Sequence, residues 1–187
     1  MINLKKKVTI FLILILIILS SVFYKFYVDK NQKDIDNKSN TTTQTEISED
    51  KPKRIASLDF KLKDLNDKEI TLSEFKGKKV MLNFWATWCG YCVQEMPYMQ
   101  NIHNETKDKD IVILAVNVGE NKDKIKKFME KKSYDFPVVL DERQEVAQNY
   151  GVQAFPTTLF IDEEGFVYSG IQGPMTDDIM RKELKIK

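Results

Sequence analysis

The chain contains two cysteines, Cys89 and Cys92, which lie three positions apart, directly after an apolar run that ends at Trp85. A disulfide that closes so short a loop removes little entropy from the unfolded chain, so it would be a poor structural crosslink. A C-x-x-C pair with no other cysteine, placed between a predicted strand and a predicted helix, indicates thiol-disulfide exchange instead.

The position of the pair predicts unequal roles for its two sulfurs. A helix is expected to begin near Cys89 or Gly90, which places Cys89 at the helix N-terminus and Cys92 one turn later. Unpaired N–H groups and the helix dipole stabilise a thiolate at such an N-terminus, and the thiolate is the nucleophilic form of cysteine. We therefore predict that Cys89 attacks a partner disulfide and that Cys92 resolves the mixed disulfide.

Metal binding and peroxidase chemistry fit these residues less well. A structural zinc site usually takes four Cys or His ligands, and the sequence holds only two cysteines and one histidine, His103. A peroxidase would need a separate peroxidatic cysteine in a Thr-x-x-Cys context, and the sequence has none. We therefore predict no metal and no other cofactor.

From residue 55 onward, short apolar strands alternate with helical patterns. The predicted strands are Asp59–Leu62, Glu69–Leu72, Val80–Trp85, Ile111–Val118, Val138–Leu140, Thr157–Ile161 and Val167–Ser169. The predicted helices run from Cys89 or Gly90 toward Thr106, over Lys122–Lys132 after a capping Asn121, over Glu145–Tyr150 before Gly151, and after a capping Thr176. This alternation predicts an α/β fold with right-handed crossovers.

The N-terminus predicts a membrane anchor. Lys5, Lys6 and Lys7 precede an apolar run from Val8 to Phe23, and further apolar residues up to residue 28 bring it to the ~20 residues that span a bilayer. Positive charge ahead of the run predicts a cytoplasmic N-terminus and an extracytoplasmic remainder. A cleaved signal peptide is the alternative, although the sequence at residues 20–23, Ser-Ser-Val-Phe, is a poor cleavage site.

Residues 29–54 are predicted to form a disordered linker. They are rich in Asn, Lys, Asp, Thr and Ser, with only Ile35 and Ile47 as large apolar residues. The chain is thus divided into a transmembrane anchor at 1–28, a linker at 29–54 and a folded head at 55–187. A formal net charge of +1 gives no indication of a nucleic-acid partner.

The head resembles the TlpA/ResA-like thiol-disulfide oxidoreductases, a membrane-anchored extracytoplasmic branch of the thioredoxin superfamily. The matching motifs occur in family order: Asn83–Cys89, then Cys92, Glu95 and Pro97, then Ala115–Glu120, Phe136–Asp141 and Pro156–Thr158. The resemblance implies a thioredoxin-like central mixed β-sheet with flanking helices and an N-terminal β-hairpin, preceded by one transmembrane helix.

The resemblance also implies roles that the residue pattern alone does not. By pattern, Glu95 would be a solvated helix residue and the Phe155–Pro156 bond would be trans, as most X–Pro bonds are. The resemblance implies instead that Glu95 is catalytic and exchanges a proton with Cys92. It further implies that the Phe155–Pro156 bond is cis and that backbone atoms of Phe155 dock the substrate as an added strand. The other predicted substrate-binding residues are Trp88, Gly90 and Tyr91.

One departure from the family pattern bears on the direction of electron flow. The family usually has proline immediately before the second cysteine, whereas this chain has Tyr91 after Gly90, a dipeptide similar to that of Dsb-type disulfide isomerases. The sequence predicts a reductant of disulfides in extracytoplasmic proteins, supplied with electrons by a membrane-embedded thiol donor. An oxidase or isomerase is the alternative, and a client-binding module without turnover is the least favoured one.

Overall fold

The computed structural model describes residues 23–25 and 54–186. Residues 23–25 are helical, and the rest of the predicted anchor and all of the predicted linker except Arg54 lie outside the described residues. Among the residues described, no helix has the length and apolar character needed to cross a membrane. The predicted transmembrane helix therefore stays a prediction.

Eight strands and four helices make up residues 54–186. The strands are β1 (Ile55–Ala56), β2 (Lys61–Asp64), β3 (Glu69–Thr71), β4 (Lys79–Trp85), β5 (Ile111–Val118), β6 (Val138–Asp141), β7 (Thr157–Ile161) and β8 (Phe166–Gln172). The helices are α1 (Gly90–Thr106), α2 (Lys122–Lys132), α3 (Glu145–Asn149) and α4 (Asp177–Leu184), and a 3-10 helix covers Leu72–Phe75.

All eight strands join one mixed sheet, in the order β1-β8-β7-β4-β5-β6-β2-β3. The central strands β4, β5 and β6 are parallel, as their helical crossovers require, and β7 pairs antiparallel with β4. Strands β2 and β3 form an antiparallel hairpin that extends the sheet beyond β6. This is the thioredoxin-like α/β architecture, with its N-terminal hairpin, that the resemblance implies.

The central strand β4 is buried on both faces of the sheet, which explains why it is a continuous apolar run. Val80, Leu82 and Phe84 face one apolar cluster, whereas Met81 and Trp85 face a second cluster that also contains both cysteines. Three buried polar side chains lie on this second face, on three neighbouring strands: Asn83 on β4, Asn117 on β5 and Thr158 on β7.

The predicted elements agree with the structure except at a few ends. Strand β2 begins two residues later than predicted, Leu72 lies in the 3-10 helix, and β8 is longer than its predicted core. Strand β1 was not predicted, because it consists of two exposed residues that carry no alternation. Asn121 caps α2 by accepting a hydrogen bond from the Lys124 N–H, whereas Thr176 precedes α4 without a side-chain capping bond.

Candidate active site

The two cysteines lie where β4 leads into α1. Cys89 is the N-cap residue of α1 and has an extended backbone conformation, while Cys92 lies in the first turn. The two residues are joined by a disulfide, and their Cα atoms are 5.3 Å apart. The C-x-x-C spacing therefore allows both sulfurs to meet without unwinding the helix, as the sequence predicts.

The two sulfurs are not equivalent. Cys89 is 7% exposed and Cys92 is 1% exposed, so the first sulfur is the one that a partner can reach. The backbone N–H of Cys92 donates to Cys89 Sγ over 3.1 Å. When the pair is reduced, the same donor and the helix N-terminus would stabilise negative charge on Cys89. The geometry supports the predicted roles of nucleophile for Cys89 and resolving thiol for Cys92.

Glu95 is buried one turn beyond Cys92 on α1, with 1% of its surface exposed. Its Oε1 accepts a hydrogen bond from Asn83 Nδ2 (2.8 Å), and its Oε2 accepts one from the backbone N–H of Met175 (2.9 Å). The solvated position that the pattern alone favours is wrong, because α1 turns this face toward the sheet and the β8–α4 loop closes over it.

Burial raises the pKa of Glu95 to about 7, against the opposing effect of the hydrogen bonds from Met175 and Asn83. A carboxyl with that pKa changes its protonation state near neutral pH. It can therefore accept a proton from a neighbouring thiol and return it under the same conditions, which is what general acid–base catalysis requires.

Asn83 connects Glu95 to strand β7. Its Nδ2 donates both to Glu95 Oε1 and to Thr158 Oγ1 (2.9 Å), while its buried Oδ1 has no partner among the described residues. Thr158 lies two positions after Pro156. The Asn83 amide thus links Glu95 to β7, the strand that follows the loop predicted to dock the substrate.

The Phe155–Pro156 peptide bond is cis, as the resemblance implies and contrary to what the pattern alone favours. Pro156 is buried, and its carbonyl accepts a hydrogen bond from Gly173 N–H over 2.8 Å. The Phe155 ring packs against the Trp88 ring, with the ring centroids 5.9 Å apart. These contacts place the loop beside the residue that precedes Cys89.

The two tryptophans near the site have different surroundings. Trp85 is fully buried in the core, whereas Trp88 is 68% exposed. Tyr91, between the cysteines, is 62% exposed, and Gly90 is also exposed. Trp88, Gly90 and Tyr91 are therefore exposed beside Cys89 in the chain, and the sequence predicts that they contact partners.

Glu120 is a buried residue of the site to which sequence reasoning assigned no role. Its carboxylate accepts hydrogen bonds from the backbone N–H (2.6 Å) and the hydroxyl (2.7 Å) of Thr87, two residues before Cys89. It also accepts one from Asn117 Nδ2 (2.9 Å) and pairs with the Lys124 ammonium (2.6 Å). Glu120 thus fixes the loop that carries the nucleophile.

The charge of Glu120 is balanced within this cluster. Burial by itself would raise the pKa of Glu120, but the bonds from Lys124, Asn117 and Thr87 together hold it below its ordinary value.

The sequence signal that could have located Glu120 was the motif Ala115–Glu120, which places an acid just after a parallel strand. Neighbouring parallel strands end at one edge of the sheet, so this acid had to lie near the end of β4.

Comparison with known proteins identifies the family. The family model described as Redoxin matches residues 52–185. The chain belongs to the redoxin family. Within it, the chain is 43% identical over 127 residues to the thiol-disulfide oxidoreductase ResA of Geobacillus thermodenitrificans, covering 68% of this chain and 73% of that protein. It is 35% identical over 185 residues to ResA of Bacillus cereus, covering 97% of each.

Solved structures agree with the fold of this ResA-like redoxin. StoA from Bacillus subtilis superposes with a TM-score of 0.60 at 26% identity, covering 67% of this chain and 96% of that one. The exposed lipoprotein thioredoxin Etrx1 from Streptococcus pneumoniae gives 0.60 at 33% identity, covering 68% and 98%. Together with the cysteine pair, these relatives establish the redoxin as a thiol-disulfide oxidoreductase.

Proposed function

We propose that this ResA-like redoxin reduces disulfides of extracytoplasmic proteins through Cys89 and Cys92, with Glu95 as the proton acceptor and donor. The observation that carries this proposal is the layered arrangement of the three groups. Cys89 is reachable at the helix start, Cys92 is buried beneath it, and Glu95 lies one turn further with a pKa of about 7.

The proposed reaction transfers two electrons to the client in two exchanges. The Cys89 thiolate attacks one sulfur of the client disulfide, so a mixed disulfide forms and the other client sulfur leaves as a thiolate. Glu95 then takes the proton of the Cys92 thiol, and the resulting thiolate attacks Cys89 Sγ. The Cys89–Cys92 disulfide forms, and the second client sulfur leaves as a thiolate.

The buried carboxylate supports reduction as the direction. An oxidising pair owes its high potential to a stabilised reduced form, above all a stabilised thiolate. Negative charge on the poorly hydrated Glu95 would oppose thiolate formation one turn away. The reduced pair is then less stabilised, which favours giving electrons to a client. The resulting disulfide requires an electron source, for which we propose a membrane-embedded thiol donor.

Client docking is proposed along the loop that contains the cis bond. The backbone N–H and C=O of Phe155 make no hydrogen bond to another described residue, so both are available to an extended peptide. Such a peptide would add to the loop as a short strand, with Trp88, Gly90 and Tyr91 around the sulfur that it must approach.

The reduction potential of the Cys89–Cys92 pair tests this function. We expect a value near or below the ~−270 mV of thioredoxin, measured by equilibrating the protein with defined ratios of reduced and oxidised dithiothreitol. A value near the ~−120 mV of a strong oxidant would contradict the reductive direction. Such a result would favour the oxidase or isomerase alternative, for which the Gly90-Tyr91 dipeptide is the supporting observation.

We further propose that residues 1–28 anchor the protein in the cell membrane, with the N-terminus in the cytoplasm and the catalytic head outside. Three lysines ahead of the apolar run support this topology. Protease added to intact spheroplasts should therefore remove the head, and a cytoplasmic protein followed in the same sample should stay intact. Complete protection of the head, with degradation only after lysis, would contradict the proposed topology.

A further inference from the structure

Asn83 is the one residue in the buried stretch Val80–Trp85 of β4 that is neither aliphatic nor aromatic nor methionine, and it is fully buried. A leucine at this position would have the same number and branching of side-chain heavy atoms, and it would suit an apolar core better. The presence of a buried amide at the centre of the sheet therefore requires a reason other than packing.

The amide of Asn83 makes its hydrogen bonds through one of its two polar atoms. Its Nδ2 donates to Glu95 Oε1 over 2.8 Å and to Thr158 Oγ1 over 2.9 Å. Its Oδ1 is buried and has no partner among the described residues. An unpaired buried acceptor is unfavourable, so an amide kept only for stability would be expected to use both atoms. The arrangement at Asn83 instead serves the donor.

The group that receives this donor is the proton acceptor of the proposed reaction. An ionised carboxylate only accepts hydrogen bonds, so the amide atom that faces the Glu95 carboxylate has to be Nδ2. A hydrogen bond to the charged form of an acid favours that form. Burial raises the pKa of Glu95, and the bonds from Met175 N–H and Asn83 Nδ2 oppose that rise.

Charged side chains make no contribution to the protonation of Glu95 among the described residues. Three segments, which include β4, β7, β8 and most of the β8–α4 loop, lack Asp, Glu, Lys and Arg altogether: 80–94, 146–161 and 165–176. Their titratable side chains are Cys89, Cys92 and three tyrosines. On α4, Asp177 and Arg181 pair with each other. The two hydrogen bonds are therefore the means by which this site favours the carboxylate.

The two bonds also hold the carboxyl group in place from two directions. Asn83 and Thr158 are paired positions of the neighbouring strands β4 and β7, and the Thr158 hydroxyl takes one of the two Nδ2 hydrogens. The other Nδ2 hydrogen is directed at Glu95 Oε1, while the Met175 N–H holds Oε2. The bonded Asn83 amide thus ties the acid on α1 to the two central strands of the sheet.

We propose that Asn83 is a positioning residue for the proton acceptor, whose amide holds Glu95 Oε1 in place and keeps the carboxylate ionised when Cys92 must lose its proton. The inference rests on the proposed function and adds the group that controls Glu95. Without the Asn83 donor, Glu95 should stay protonated to a higher pH, so the resolving step should begin at a higher pH.

The resolving step can be followed with the full-length reduced protein in detergent micelles and a bis(nitrobenzoate) disulfide. The Cys89 thiolate attacks one sulfur of the reagent, so a mixed disulfide forms and a coloured thiolate leaves. Glu95 then takes the proton of Cys92, and the Cys92 thiolate attacks Cys89 Sγ. The Cys89–Cys92 disulfide forms and the second coloured thiolate leaves. The rate of this second release, measured from about pH 5 to 9, reports the step in which Glu95 acts.

Asn83→Leu removes the donor and keeps the number and branching of the side-chain heavy atoms. The pH midpoint of the second release should move up by about one unit, as expected when a hydrogen bond to a charged group is lost. The rate should fall about three- to tenfold near pH 6 and reach the wild-type rate near pH 9. A lower rate at every pH with an unchanged midpoint would assign Asn83 to the fold alone and overturn the inference.

Thr106→Val is the matched control for the loss of a buried hydrogen bond. Thr106 is fully buried on α1, the helix that carries Glu95, and its hydroxyl donates to the Ile102 carbonyl over 2.7 Å. The control should keep the wild-type midpoint. A midpoint that moves as far as in Asn83→Leu would show that any loss of a buried bond produces the shift, and would overturn the inference.

Nuclear magnetic resonance of the wild-type protein tests the bond without removing Asn83. The Nδ2 hydrogens of Asn83 should exchange slowly with solvent, and their signals should shift with pH through the midpoint at which Glu95 titrates. The same signals should show no such shift in Glu95→Gln. Asn83 signals that stay constant while wild-type Glu95 titrates would overturn the inference, even if Asn83→Leu does not fold.

The outcomes separate this inference from the function on which it rests. If Asn83→Leu keeps the wild-type pH profile while Glu95→Gln slows the second release, the inference on Asn83 is overturned and the proton-acceptor role of Glu95 stands. If Glu95→Gln leaves the second release unchanged at every pH, the proposed role of Glu95 and this inference are overturned together.

Discussion

Replacing Cys92 with serine should turn the enzyme into a covalent trap for its clients. In Cys92→Ser the reachable Cys89 still attacks a client disulfide, but no second thiol releases the product. Mixed disulfides should therefore accumulate, and turnover of a client should fall by at least about 10³-fold, as expected when a nucleophilic group is removed. Cys89→Ser should trap far less, because its remaining Cys92 sulfur is 1% exposed.

Non-reducing gels of membranes from cells that express each variant provide the measurement. Trapped complexes should disappear when dithiothreitol is added, and the double variant Cys89→Ser/Cys92→Ser should show none, which controls for non-covalent association. Equal trapping by both single variants would show that the assigned roles of the two cysteines are wrong.

The cysteine chemistry could be predicted from sequence because its causes are local. The spacing of Cys89 and Cys92, and an apolar run before them, are enough to predict a strand, a helix start and two unequal sulfurs. The structure adds the exposures and the Cys92 N–H bond to Cys89 Sγ, which support that prediction.

The conformation of Phe155–Pro156 and the burial of Glu95 could not be predicted from the residue pattern. The isomer of an X–Pro bond depends on tertiary context, and only the resemblance implied the cis form. Glu95 lies on a helix that is polar on other faces, and one of its two hydrogen-bond donors, Met175 N–H, is 80 residues away in sequence. Distant backbone groups of this kind leave no signal in the sequence near the acid.

The role of Glu120 could not be predicted from the motif in which it lies. It belongs to a motif that supports the resemblance, yet its bonding partners Thr87, Asn117 and Lys124 come from a loop, a strand and a helix. Only the sheet register, which pairs Trp85 with Asn117, brings them to one place. Strand order is a long-range property, so the position of Glu120 next to the nucleophile's loop required the structure.

Replacing Glu95 with glutamine should slow disulfide exchange near neutral pH, with an effect that disappears at higher pH. Glutamine cannot take the proton of Cys92, so the resolving step loses its general base. We expect the exchange rate at pH 7 to fall about 10- to 100-fold, at or below the lower end of what such a base contributes. Above the pH at which Cys92 ionises unaided, the wild-type and variant rates should converge.

Glutamine should fit the site without disrupting the fold. Its carbonyl can accept the Met175 N–H bond, and its amide can donate to Asn83 if the Asn83 side chain turns its unpartnered Oδ1 toward it. The Thr158 hydroxyl, which now accepts from Asn83, can then donate instead. The turned Asn83 then places Nδ2 where its Oδ1 now has no partner among the described residues, so the stability of Glu95→Gln must be measured beside its exchange rate to separate the lost titrating group from an unsatisfied buried amide.

Stability measured against pH gives a second readout, which tests whether Glu95 titrates near neutral pH in the folded protein. The pKa of Glu95 is about 7 in the folded protein and near 4.5 when the carboxyl is hydrated in the unfolded chain. The folded state therefore favours the protonated form, and its free energy of unfolding falls as pH rises from about 4.5 to 7. The wild-type protein should lose about 3 kcal/mol relative to Glu95→Gln across that range.

Urea unfolding of the two oxidised proteins at pH 4.5, 6 and 8, together with thiol alkylation rates of the reduced proteins, provides the measurements. In Glu95→Gln the thiols should titrate at lower pH, because a charge that opposes thiolate formation has been removed. Glu130→Gln, at an exposed position on α2, is the matched control and should leave both profiles unchanged. If Glu95→Gln keeps the wild-type exchange rate and thiol titration, Glu95 is a structural helix residue and the proton transfer proposed for it does not occur, even where the pH dependence of unfolding changes.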